Sequence, residues 1–206
     1  MRIPASEHEG LILPESGERG AVILISGGRR AGKTTLLLRL RAVAGQGGRR
    51  VGGFLSVARF EGGEKTGIDL MDAATGATMP LASMSGEGAI RTGHYTFNPA
   101  ALDAGIQIAE AGRDADVLFV DELGPLELVR GEGWASVLPI VRAREYGIAF
   151  VAVRPELIGQ ARAALTLPDD SPLVMVSEAN REAVFAPMAD WLRRRMERAQ
   201  PRENTG

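Results

Sequence analysis

Cysteine is absent from the 206 residues, which excludes disulfides and thiolate metal sites and is compatible with a reducing cytoplasm. No apolar run approaches the roughly 20 residues that span a bilayer, so no membrane association is expected. The first twenty residues carry Glu7, Glu9, Glu15 and Glu18, unlike a secretory signal. Charge of one sign is also missing. With a formal net charge of −2 there is no global field to draw the chain onto nucleic acid or acidic membranes. His94 has no histidine or cysteine near it in sequence, so a metal role is not expected of it. Lysine is nearly absent: Lys33 and Lys65 are the only two beside a large excess of arginine. Internal repeats and low-complexity tracts are not evident. What remains is the composition of an ordinary soluble α/β protein, 45% hydrophobic and 24% charged, expected in the cytoplasm.

One of those two lysines stands in a glycine-rich loop. In AVILISGGRRAGKTTLLLRL, residues 21–40, Gly27, Gly32, Lys33 and Thr34 fit the phosphate-binding pattern G-x-x-x-x-G-K-[ST]. Average residue usage would yield such a match in roughly 1% of chains this long. Context lowers that further. Ala21 to Ser26 reads as a buried parallel strand, and Leu36, Leu37 and Leu40 recur at helical spacing. The pattern needs that order of strand, loop and helix. A triphosphate must be held without side chains in the way, so the backbone N–H groups of Gly27, Gly28, Arg29, Arg30, Ala31, Gly32, Lys33, Thr34 and Thr35 are the expected cradle. Lys33 is expected to reach the β- and γ-phosphates and the Thr34 hydroxyl to ligate Mg²⁺. An ammonium is a compact charge and a guanidinium a wide fork, so lysine at this position carries chemical meaning.

Further along, VGGFLSVARF at 51–60 and the Thr66 to Met71 run read as strands around a hairpin at Glu61-Gly62-Gly63-Glu64. An antiparallel β-insertion is expected from 51 to about 97, ending with Arg91 to Phe97. Asn98-Pro99 opens a helix that ends at Gly112. Val117 to Val120, Ile148 to Val153 and Pro172 to Val176 read as strands. Trp134, Val137, Leu138 and Val141 form a helical stripe ending at Gly147, with Pro139 kinking or delaying the helix. Residues 181–198 close as an amphipathic helix on Val184, Met188, Trp191 and Leu192. Strands alternating with helices predict an α/β, three-layer sandwich with a mainly parallel central sheet, one domain over 1–206.

Val117 to Val120 run directly into Asp121 and Glu122, and Gly124-Pro125 ends the strand there. An aspartate at that strand end, beside the loop-bearing strand, can hold Mg²⁺, and an adjacent glutamate can deprotonate an attacking water. GGRRAGKTT, GGFLSVARF with TGIDLMD, and FVDELGPLEL resemble the small P-loop nucleoside triphosphatases first described from thermophiles, the cancer-related nucleoside-triphosphatases of animals. The resemblance runs from about residue 20 to 155. It implies a RecA-like P-loop fold and slow, Mg²⁺-dependent hydrolysis of several nucleoside triphosphates. Lys33 and Thr34 then bind phosphate and metal, Asp121 supports Mg²⁺, and Glu122 is the base. Glu127 matches a family carboxylate, and Arg59 and Gly67 to Asp69 lie in the family's β-insertion.

Arg29-Arg30 depart from the small residues or proline usual in that loop, and either face phosphate or are solvated. Arg154, just past a strand, either stabilises transition-state charge or simply opens the loop before Pro155. Tyr95 and Phe97 either stack on a base or pack in the core. Arg193-Arg194-Arg195 with Arg198 and Arg202 read as a solvated helix face, so a nucleic-acid partner is not expected. The function expected is hydrolysis of ATP, GTP or other nucleoside triphosphates. A nucleotide or small-molecule kinase of the same fold, and a nucleotide-gated regulatory binding protein, remain open. The oligomeric state is open as well.

Overall fold

The computed structural model describes residue 13 and residues 19–84, 90–93 and 95–198. His94, Arg202 and, apart from the buried Leu13 and the exposed Arg19, the expected lead-in before Gly20 lie outside the described residues. Among the described residues nine strands form one sheet: β1 (Ala21–Ser26), β2 (Val51–Glu61), β3 (Glu64–Asp72), β4 (Thr78–Ser83), β5 (Arg91–Thr92), β6 (Tyr95–Phe97), β7 (Val117–Leu123), β8 (Ile148–Val153) and β9 (Leu173–Met175). Their spatial order is β5-β6-β4-β3-β2-β7-β8-β1-β9. From β2 to β9 the neighbours are parallel, and from β2 to β5 antiparallel.

The helices are α1 (Lys33–Gln46), α2 (Pro99–Ala111), α3 (Val137–Ala143), α4 (Ile158–Ala164) and α5 (Arg181–Arg198). Strand alternation divides the core between two faces. Ile23, Ile25, Val117, Phe119 and Phe150 meet Leu37 and Leu40 of α1 and Met188 and Leu192 of α5. Val22, Leu24, Leu118, Val120 and Val151 meet Leu102 of α2, Val137 of α3 and Ala161 of α4. This is the expected three-layer α/β sandwich. Among the described residues no helix is long and apolar enough to cross a membrane.

Three local expectations change. The antiparallel segment does not begin at residue 51, because Val51 to Phe54 pair in parallel with β7 while Phe54 to Glu61 pair with β3. An eleven-residue strand has two edges, and its first half offers one of them to β7. The stripe from Trp134 becomes a helix only at Val137, with Pro139 in its first turn, where a missing N–H costs nothing. Helix α4 was not predicted; Ile158, Ala161 and Leu165 carry a short i, i+3, i+7 signal against the second face. Asn98 caps α2 as predicted, its Oδ1 accepting from Ala100 N at 3.0 Å.

Candidate active site

β1 delivers the chain into the loop 27–32 at the carboxyl end of the parallel strands, where α/β sheets place ligands. Gly27 is required there: at φ 157° a Cβ would lie 2.2 Å from the Val176 carbonyl oxygen. Gly32 takes φ 104° immediately before α1, and Arg30 adopts a left-handed φ of 62°. No side chain caps α1 and no acidic residue stands in its first turn. Its first N–H groups therefore have neither intrahelical acceptors nor a built-in anion, which is the arrangement that takes a phosphate. Lys33 is buried, and its Nζ donates to the carbonyls of Gly27 (2.8 Å) and Gly28 (3.3 Å), folding back over the loop. Ala31 is buried, while Gly28, Arg29, Arg30 and Thr35 are exposed.

The carboxylates arrive from β7, which is not adjacent to β1: β8 lies between them. Side-chain length closes the gap. Thr34 Oγ1 donates to Asp121 Oδ2 at 2.7 Å, and Lys33 Nζ lies 3.4 Å from Glu122 Oε2. Alternation alone would turn neighbouring residues to opposite faces. Here Val120 pairs with Val151 and Leu123 with Val153, so β7 carries one residue more than β8 across this step. Such a bulge re-aims side chains, and both carboxylates reach the loop. The peptide bond joining them is cis. Ser56 of β2 donates from its backbone N–H to Asp121 Oδ2 (3.4 Å) and from its hydroxyl to the Asp121 carbonyl. Burial pushes the Asp121 carboxyl up to about 7, and the Thr34 hydrogen bond opposes that rise.

The sequence model of one family, described as NTPase, matches residues 22–188. The chain belongs to the NTPase family. It is similar to nucleoside-triphosphatase THEP1 of Caldivirga maquilingensis, 23% identical over 171 residues that cover 83% of this chain and 94% of that one. The crystal structure of THEP1 from Aquifex aeolicus superposes with a TM-score of 0.65 at 21% identity, over 83% of this chain and 98% of that one. The solution structure of a human cancer-related nucleoside triphosphatase superposes at 0.64 and 20% identity, over 84% and 98%. These solved structures share the fold.

In this member of the NTPase family, Arg154 follows β8 and its Nε donates to Glu122 Oε1 at 2.8 Å. Glu122 thus lies between two cations. Glu127 is buried, and among the described residues it makes no hydrogen bond to the loop 27–32. Its Oε2 accepts from Gly124 N (2.8 Å) and its Oε1 from Trp134 N (3.1 Å), which closes the turn after β7, and burial raises its carboxyl. Arg59 pairs with Asp69 on β3 at 2.8 Å. Tyr95 and Phe97 pack against the second core face, the structural use of the two considered. The basic run of α5 is split: Arg193 pairs with Asp190 at 2.7 Å, whereas Arg195 is buried and donates to the Gly147 carbonyl. Ser56 carried no sequence signal. It is a lone serine in a strand, and its partner lies 65 residues away.

Proposed function

We propose that this chain is a Mg²⁺-dependent nucleoside-triphosphatase that cleaves the β–γ bond of ATP, GTP or other nucleoside triphosphates by in-line attack of water, in the cytoplasm. The observation that carries this reading is the convergence of an uncapped α1 N-terminus with Lys33, Asp121 and Glu122 at one end of the sheet. Triphosphate charge goes to the N–H groups of residues 27–35 and to Lys33. Mg²⁺ commonly takes one or two protein oxygens and completes its shell with water and phosphate oxygens. The Thr34 hydroxyl and Asp121 carboxylate, already 2.7 Å apart, fit that requirement. Bound there, Mg²⁺ supplies neutralisation of β- and γ-phosphate oxygens.

Glu122 accepts a proton from water as the water oxygen bonds to the γ-phosphorus and the bond from that phosphorus to the β-bridging oxygen breaks. The products are nucleoside diphosphate and inorganic phosphate. Lys33 and Arg154 both face Glu122, and an incoming γ-phosphate competes for the same two cations. Substrate entry therefore loosens the glutamate toward water while bringing Arg154 to the charge that develops in the transition state.

Glu122→Gln keeps the shape of the side chain and removes the base. Nucleotide binding is expected to persist while phosphate release falls by about 10²-fold or more. Undiminished turnover in that variant removes Glu122 from the role. Free phosphate released by the chain alone, without an acceptor, separates hydrolysis from a kinase and from a nucleotide-gated binding protein.

A further inference from the structure

The segment from β9 into α5 is fastened to the glycine-rich loop. Val176 N donates to the Ser26 carbonyl at 2.6 Å, and the Val176 carbonyl lies against Gly27. Ser177 N donates to Asn180 Oδ1 (2.8 Å) and Asn180 Nδ2 to the Met175 carbonyl (2.9 Å), which fixes the turn. Helix α5 therefore starts beside the loop, and the stem of Arg181 lies over Gly32. A Cβ on Gly32 would sit 3.2 Å from Arg181 Cδ and 3.6 Å from its Cβ.

Sheet order gives that contact a direction. In β7-β8-β1-β9 the loop-bearing strand stands between two flanks. Glu122 and Arg154 come from the β7 and β8 flank, while Arg181 comes from the β9 flank. Lys33 and Arg154 are engaged with Glu122. Arg181 is exposed, and among the described residues its guanidinium has no hydrogen bond or ion pair. The acid next to it, Glu182, pairs with Arg39 at 2.8 Å. In the triphosphatase reading the γ-phosphate lies toward Glu122, which leaves the opposite flank of the loop, where Arg181 stands, to the rest of the nucleotide.

We infer that Arg181 is a substrate-binding residue that grips the α-phosphate, the part of the nucleotide that is not transferred; this rests on the triphosphatase reading above. A guanidinium suits a phosphate because its planar donors match the oxygens. Such a contact is made equally to substrate, transition state and diphosphate product. It therefore sets affinity and leaves the chemical step alone.

Arg181→Met tests this, because methionine keeps an aliphatic stem over Gly32 and removes the charge. The measurements are KM and kcat for Mg-ATP, the Kd of Mg-ADP by calorimetry, and Tm. KM and the ADP Kd are expected to rise together by about tenfold, the scale of one partly exposed charge-assisted hydrogen bond. The kcat should stay within about twofold. Arg181→Lys should recover part of the affinity. An ADP affinity in the methionine variant equal to that of the wild type overturns the proposal whatever the Tm. So does a fall in kcat at constant KM, which would put the guanidinium at the transferred group. A wild-type chain that releases no phosphate counts against the triphosphatase reading instead, and the ADP arm still decides Arg181.

Discussion

At the scale of single residues, Asp121 is the group whose surroundings conflict most with its charge. It is almost wholly buried, and burial raises its carboxyl from the ordinary 3.8 to about 7. A carboxyl that binds its proton more tightly when folded costs stability as pH rises. For this group stability is fully present below about pH 4 and is lost progressively up to about pH 7. Asp121→Asn removes the titration and keeps an oxygen for Thr34. In EDTA, the variant is expected to melt near the wild type at pH 4 and above it at pH 8. The upper bound of the gap is roughly 4 kcal/mol. A gap that does not change with pH counts against a buried charge at Asp121. The pair Asp121-Glu122 was legible from the sequence because an apolar run, two acids and Gly-Pro follow in order. Ser56, which secures the same aspartate from a distant strand, was not. A serine between apolar residues in a strand looks the same whether or not it holds a partner.

At the scale of elements, the bulged end of β7 and the turn that follows act together. Glu127 holds both ends of that turn through the N–H groups of Gly124 and Trp134, and Trp134 in turn donates from Nε1 to the Leu102 carbonyl at 3.1 Å. Glu127→Gln leaves one acceptor where two are used and faces an amide against a backbone donor. An unsatisfied buried donor costs about 1–3 kcal/mol. The expected result is a free energy of unfolding lower by that amount, read as a lower urea midpoint with the m-value unchanged; a midpoint equal to wild type would mean the turn is held by other contacts. Local pattern revealed the helices opened by Asn98-Pro99 and closed by 181–198 because caps and apolar periodicity are local. It did not reveal α4, which has only seven residues. Nor did it show the π-helical turn at Leu126–Arg130 ahead of Trp134, or that the helix on the Trp134 stripe starts only at Val137. Those boundaries depend on what Glu127 and Trp134 meet across the fold.

At the scale of the whole molecule, strand order is the feature the sequence hid most completely. The expectation of neighbouring loop and carboxylate strands fails because β8, last of the three in the chain, takes the place between them. Hydrophobic runs identify strands as buried on both faces, but every such run looks alike, and only pairing decides which neighbours which. The consequence is functional. Loop and helix come from β1 and α1, carboxylates from β7, the arginine from the end of β8, and the bracing serine from β2. A ligand that engages this set ties together segments from four adjacent strands, β2-β7-β8-β1, and has no counterpart in the unfolded chain. Mg-ADP at about 100 times its Kd should therefore add roughly 2.7 kcal/mol of stability. For a chain of this size that is a rise of about 5–10 °C in Tm. Lys33→Ala should abolish the rise, and EDTA should reduce it if Thr34 and Asp121 contribute through a bound cation. A wild-type Tm that ignores saturating Mg-ADP would mean that the convergence at the strand ends does not form a nucleotide site.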